Sequence, residues 1–155
     1  FSIQRCADML DAVDRRLLAL LQADARLGYL ELGEAVGLSG PAAYQRVRKL
    51  EESGVLTGYH AAVRPGAVGR PLVAFLRVVP AAAADVRRIE ETWRAMPEVA
   101  ECHLLTGTVG YLVKLRLGEI VELEGHLDAL RRSGCAVTVE IAVATPFERG
   151  AVPVA

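Results

Sequence analysis

Through the N-terminal third of the chain, apolar residues recur at the spacing of a helix face. Val13, Leu17, Leu20 and Leu21 fall at i, i+4, i+7 and i+8, one stripe of an amphipathic helix. Asp11 and Asp14 stand where an N-cap and a first-turn acid belong. The stripe fades near Asp24 to Gly28. A short second helix is expected over about Leu30 to Val36, with Leu32 and Val36 on one face. Gly33 inside it costs about 1 kcal/mol against Ala. Gly37-Leu38-Ser39 then breaks the pattern, and Ser39 can cap a third helix running from Gly40 to about Ser53. Pro41 is tolerated in the first turn, where amides have no helical partner, and Gly54 fits the residue after the helix end. Val55 to Val63 reads as extended. Arg64 to Pro71, with prolines at 65 and 71 and glycines at 66 and 69, reads as a turn-rich linker.

Beyond the linker the pattern alternates between strand and helix. Leu72 to Val79 is a strand stopped by Pro80, and Asp85 to Met96 a helix stopped by Pro97. Val99 to Thr106 and Tyr111 to Leu117 are strands flanking a turn at Gly107 and Gly110. Glu119 to Arg132 is a helix closed by Gly134, and Val137 to Ala144 a last strand. The order β-α-β-β-α-β is the ferredoxin-like pattern, so the fold class is α+β. The expected domains are a helix-turn-helix domain over 8–57, a hinge over 58–71 and a ferredoxin-like domain over 72–148. Both helices of such a unit lie on one face of its sheet. The other face is not clearly polar: Leu72 to Leu76 is apolar on both sides. The last strand puts Val137, Val139, Ile141 and Val143 on one side and Ala142 on the other. Such a sheet needs a second cover, and a second copy of itself is the simplest, which predicts a homodimer.

Composition narrows the function classes. Of the 155 residues, 52% are apolar and 24% charged, an ordinary globular balance. Eighteen basic against nineteen acidic side chains give a net charge of −1, which excludes a globally basic nucleic-acid coat but leaves room for a local patch. No apolar run approaches a membrane span, and Phe1 to Leu10, with Arg5 and Asp8, lacks a signal-type apolar core. No membrane partner is therefore expected. The chain opens on Phe1, so its true start is expected to be trimmed or to lie upstream. Cys6, Cys102 and Cys135 are odd in number and far apart, which suggests neither a disulfide framework nor a cysteine zinc site and fits a reducing cytoplasm. His60, His103 and His126 lack metal-ligand spacing, and no cofactor or catalytic residue is expected. Cys102 and His103 are adjacent and on a strand point to opposite faces; Cys102 is read as a buried thiol. Glu90, Glu91, Glu122 and Glu124 are read as facing water.

The third helix carries the chemistry. Ala43, Val47 and Leu50 form its inward stripe, leaving Pro41, Gln45, Arg48 and Lys49 opposite, with Tyr44 on the flank. From Ser39 to Leu50 there are Arg46, Arg48 and Lys49 and no acid. Gln pairs bidentately with adenine and Arg with guanine in the major groove. Ser39 and the amides at the helix start suit a phosphate. Arg46 falls near the core edge and has two readings: a structural ion pair, to Glu34 or Glu51, or a phosphate contact.

These segments resemble the Lrp/AsnC (feast/famine) transcription regulators. Leu10-Asp11-Ala12-Val13-Asp14-Arg15-Arg16-Leu17-Leu18 looks like the family's opening. Leu32, Val36-Gly37-Leu38-Ser39, Arg46-Val47-Arg48-Lys49-Leu50-Glu51 and Gly54-Val55-Leu56-Thr57-Gly58-Tyr59 follow in register, and Glu101-Cys102-His103-Leu104-Leu105-Thr106-Gly107 with Tyr111-Leu112-Val113-Lys114 matches its effector-domain signature. The resemblance covers about 8 to 147. It implies a DNA-binding N-terminal domain and a C-terminal ferredoxin-like (RAM/ACT-like) domain. It also implies dimers through paired sheets, with tetramers or octamers beyond, and a small-molecule effector, commonly an amino acid, near the loop between the second and third strands. That loop implicates Thr106, Gly107, Thr108, Gly110 and Tyr111.

The family's loop usually carries an Asp where this chain has Gly110, and some members carry another acid where it has Thr108. A carboxylate there would pair with an effector's ammonium group. Its absence points to an effector without an α-ammonium, to one held by backbone amides, or to a plain tight hairpin. Two other functions fit the architecture. Siroheme-decarboxylase-like enzymes share it, but their usual Arg-Phe-Gly stretch is here Leu56-Thr57-Gly58-Tyr59-His60. A DNA-organising protein of low sequence preference would bind all duplexes alike, governed by salt.

Overall fold

The computed structural model describes residues 10–82, 84–106 and 110–154, which fall into two compact units, 63–147 and the residues on either side of it.

The first unit holds three helices, α1 (Ala12–Ala23), α2 (Tyr29–Val36) and α3 (Gly40–Glu52). α1 starts where Asp11 accepts the Asp14 amide at 2.8 Å while the Asp14 carboxylate accepts the Asp11 amide at 3.3 Å, so two otherwise unpaired donors are satisfied reciprocally. α2 starts where Glu31 reaches back to the Gly28 amide at 2.7 Å. It ends at Gly37, whose φ of 72° suits a residue without a Cβ. α3 is capped by Ser39, which accepts the Ala42 amide at 3.4 Å. Leu17, Leu21, Leu32, Ala43 and Val47 make one core, with Val13, Leu20, Val36 and Leu56 against it. The segment Val55–Val63, expected to be extended, makes no strand pairing among the described residues; Pro65–Val68 forms a 3-10 turn. The chain's last residues rejoin this unit. The Gln22 side-chain amide donates to the Val152 carbonyl at 3.0 Å and accepts from its N–H at 2.6 Å.

The second unit runs β1 (Leu72–Val79), α4 (Val86–Ala95), β2 (Val99–Leu105), β3 (Gly110–Leu117), α5 (Glu122–Arg132) and β4 (Ala136–Ile141). The sheet is antiparallel, in the order β2-β3-β1-β4. Ala74, Leu76 and Val78 of β1 and Tyr111, Val113, Leu115 and Leu117 of β3 pack beneath Ile89 and Trp93 of α4 and Leu123 and Leu130 of α5. The opposite face is mixed. One row across it reads Glu101, Lys114, Phe75 and Glu140. Lys114 is 9% exposed, with Nζ 2.8 Å from Glu101 Oε1, and the Glu101 carboxylate also meets His103 at 3.1 Å. The Lys114 ammonium first, and His103 next, hold Glu101 below the ordinary carboxylate range.

Two expected boundaries move and one expected burial is reversed. α5 starts at Glu122, not Glu119, because the Glu122 carboxylate turns back to accept the amides of Gly118 and Glu119 at 3.0 Å each while pairing with Arg70 at 2.6 Å. Glu122 thus fixes the turn that leads into α5 and pairs with Arg70, and is not merely a solvated acid. β4 stops at Ile141, not Ala144. Its last bond runs from Ala142 N to Val73 O, next to the start of β1, and Val143 beyond it is fully exposed. Cys102 is exposed and not buried, because β2 lies at the sheet edge with a neighbour on one side only.

Candidate nucleic-acid interface and effector site

α3 divides cleanly. Ala43, Val47 and Leu50 are buried. Pro41, Tyr44, Gln45, Arg48 and Lys49 are exposed on the remaining surface, with Ser39 at its head. Tyr44 stands edge-on to Tyr29 of α2, with ring centroids 5.1 Å apart, which fixes the flank of this face. Arg48 Nε lies 2.8 Å from Glu52 Oε1, one turn on. Both groups are more than half exposed, so water screens this i,i+4 pair and a stronger anion can displace it. The side chains of Gln45 and Lys49 have no hydrogen bond or ion pair among the described residues. The geometry leaves an amide, a guanidinium and an ammonium on one helix face, with no buried work to do.

Arg46 differs. Its NH1 lies 2.5 Å from Asp11 Oδ2 and 2.9 Å from Asp14 Oδ1, so it ties α3 to the start of α1. The expected partners, Glu34 or Glu51, are not the ones it meets. The two carboxylates that form the capping box of α1 stand together, and one Arg46 nitrogen bonds both. Glu51 instead accepts from the Tyr59 hydroxyl at 2.7 Å. The Asp14 amide first, and Arg46 next, hold Asp11 below its ordinary value of 3.8. Stability from a carboxylate held low is complete above the unfolded value and is lost as the pH falls through the folded one. Arg46→Met is therefore expected to lower the melting temperature modestly at neutral pH, with the difference closing in acid. It should leave the salt dependence of DNA binding unchanged, whereas losing a phosphate contact would lower the slope of log affinity against log salt by about 1.

In the second unit, Thr106 is exposed at the end of β2 and Gly110 is buried at the start of β3. Gly107 and Thr108 lie outside the described residues. Tyr111 is buried against Trp93, centroids 5.2 Å apart, and its hydroxyl donates to Glu90 Oε1 at 2.5 Å. Burial first, and the Glu90 carboxylate next, push this hydroxyl up to about 12, so it remains a donor at neutral pH. Glu90 was expected to face water; β3 instead brings the tyrosine beneath it. A cleft of about 440 Å³ beside this pair is lined by Glu90, Arg94, Cys102, Leu104 and Tyr111. Sequence reasoning missed Glu90 and Arg94. The available signal was the spacing of Glu90, Trp93 and Arg94, which places them along one side of α4. Among the described residues no group of three His, Cys, Asp or Glu side chains is gathered as for a metal, and no helix is long and apolar enough to cross a membrane.

A capped helix-turn-helix with a polar third-helix face, followed by an antiparallel α+β unit, defines a two-domain DNA-binding regulator. Family models agree. The AsnC-type helix-turn-helix domain matches residues 10–51, and the Lrp/AsnC ligand binding domain matches residues 73–148. The proline dehydrogenase transcriptional activator of Rhodobacter capsulatus is 37% identical over 117 residues, 74% of this chain and 76% of that one. The leucine-responsive regulatory protein of Escherichia coli K12 is 35% identical over 113 residues, 72% and 69% of the two chains. A transcriptional regulator of Neisseria meningitidis, solved as its L-methionine complex, superposes with a TM-score of 0.84 at 30% identity, covering 93% and 96%. The chain belongs to the Lrp/AsnC family of transcriptional regulators, with a DNA-binding helix-turn-helix domain and a small-molecule-binding domain.

Proposed function

We propose that this regulator reads a specific DNA sequence through α3, acting in the cytoplasm as a homodimer and not as an enzyme. In this reading Gln45 and Arg48 face base edges, Ser39 and Lys49 meet phosphate, and Pro41 and Tyr44 border the groove. Arg46 holds the helix in place. The observation that carries the reading is the division of α3: its apolar stripe is buried, and Gln45 and Lys49 stand exposed without partners among the described residues. The open sheet face, with Phe75 beside Lys114 and Glu140, is the proposed dimer surface; tetramers or octamers would build on it. Dimerisation would space two α3 helices about one helical turn of DNA apart, or a multiple of it. Selection from a random duplex library at stated salt, beside an Arg48/Lys49→Ala variant, tests this. A roughly palindromic motif that the variant fails to enrich is expected. Equal enrichment of all duplexes by a folded dimer would favour a DNA-organising role, and a tetrapyrrole absorbance titration would detect the enzyme alternative.

The effector is proposed to bind at the β2–β3 turn, through Thr106, Gly107, Thr108, Gly110 and Tyr111, and to shift the population of assemblies. The Neisseria relative was solved with L-methionine, an α-amino acid. Here a glycine stands where an acid is expected to meet the ammonium group. We therefore propose an effector without an α-ammonium, or one held by backbone amides. Calorimetry against the standard amino acids is expected to show no tight binder. A micromolar ordinary amino acid would overturn the first version.

A further inference from the structure

A second cleft, of about 430 Å³, opens between α4 and α5 on the helix side of the sheet. None of the residues that line it belongs to the β2–β3 turn. Its floor is Leu76 and Leu115, each 1% exposed, and its walls include Ile89, Trp93 and Leu130. A volume of this order, apolar below with a few polar groups above, is the usual form of a small-molecule site.

The rim decides the ligand's charge. The Thr92 hydroxyl donates to the Arg88 carbonyl at 2.8 Å, and the Ser133 hydroxyl to the Ala129 carbonyl at 3.0 Å, so both donors are spent on their own helices. The Asp85 carboxylate accepts the Arg88 amide at 3.1 Å through one oxygen, which caps α4, and it can offer a ligand acceptors only. That leaves Arg88 on one helix and His126 on the other, neither with a side-chain partner among the described residues. With both hydroxyl protons spent, Arg88 and His126 are the side chains of the mouth with N–H donors left to give, and one of the two is permanently cationic. We propose that this cleft binds a small carboxylate with an apolar body, its head on Arg88 and His126 and its body against Trp93 and Leu130. Such a site gives the regulator an input separate from the β2–β3 turn.

Trp93 is the chain's single tryptophan and lines both this cleft and the one beside Tyr111, so its emission reports a bound ligand and the Arg88 and Ala129 variants assign it to this cleft. The probe is 4-phenylbutanoate, with 4-phenylbutylamine and 4-phenylbutan-1-ol as charge-reversed and neutral controls. The carboxylate is expected to shift Trp93 emission saturably, and both controls to bind at least tenfold more weakly. Arg88→Gln, at an exposed position, should weaken the carboxylate at least tenfold with an unchanged melting temperature. Ala129→Phe, which narrows the cleft, should abolish the response. The proposal fails if no saturable shift appears, if the alcohol binds as well as the acid, or if Arg88→Gln binds like the unaltered protein. It also fails if the emission follows protein concentration instead of ligand, since a second copy would then cover the cleft.

Discussion

Arg48→Ala is expected to weaken binding to the selected operator roughly tenfold to a hundredfold while changing affinity for random duplex far less. The argument rests on what each cation can do in a groove. Arg48 stands on the open face of α3, one turn before Glu52, and its present ion pair is a screened surface contact. Exchanging that contact for a bidentate bond to a guanine edge gains directional bonding, which removal of the side chain forfeits at one base pair only. Lys49 is a point charge with three rotatable donors and cannot read a base edge in the same way. Lys49→Ala should weaken specific and random duplexes alike and reduce the salt slope by about 1. The two variants thus separate reading from anchoring in one set of titrations at several salt concentrations. Equal losses on operator and random DNA for Arg48→Ala would remove it from base reading. An unchanged salt slope for Lys49→Ala would remove it from phosphate.

How far the sequence showed this depends on the range of the physics involved. β1 was legible from end to end because Pro71 and Pro80 bracket an apolar run. The inward stripe of α3 and its Ser39 cap were legible because periodicity and capping act within one turn of helix. Arg46 was not: its partners Asp11 and Asp14 lie more than thirty residues back and are set by how α3 packs on α1. Glu90 was misjudged for the same reason, since only the placement of β3 under α4 brings Tyr111 beneath it. Cys102 reads as core because free cysteine is usually buried, but exposure depends on strand order, and β2 falls at an edge. The cleft under Arg88 and His126 needs two helices to be placed at once, and no local pattern encodes that.

Gly33→Ala is expected to destabilise the helix-turn-helix unit, although the same change in most helices stabilises. A Cβ built at Gly33 would lie 2.6 Å from the Leu38 carbonyl oxygen and 3.0 Å from both the carbonyl carbon and the oxygen of Ser39. Those atoms are backbone of the turn between α2 and α3. The turn is held by the Leu38 amide donating to the Gly33 carbonyl at 2.8 Å, so it cannot swing aside as a side chain would. Alanine gains about 1 kcal/mol of helix propensity. Overpacking against a fixed neighbour costs about 1–3 kcal/mol, and contact with backbone puts this site at the upper end. The net loss is about 1–2 kcal/mol. In a unit this small each kcal/mol moves the midpoint by roughly 4–8 °C. Gly125 supplies the control: it lies in α5, and a Cβ there meets nothing within 4 Å. Gly125→Ala should stabilise by about 0.5–1 kcal/mol. Thermal melts of the two variants, followed by circular dichroism, should therefore move in opposite directions. A Gly33→Ala melt at or above that of the unaltered chain would mean that the α2–α3 turn yields. The backbone approach would then not be what sets the angle at which α3 presents Gln45 and Arg48.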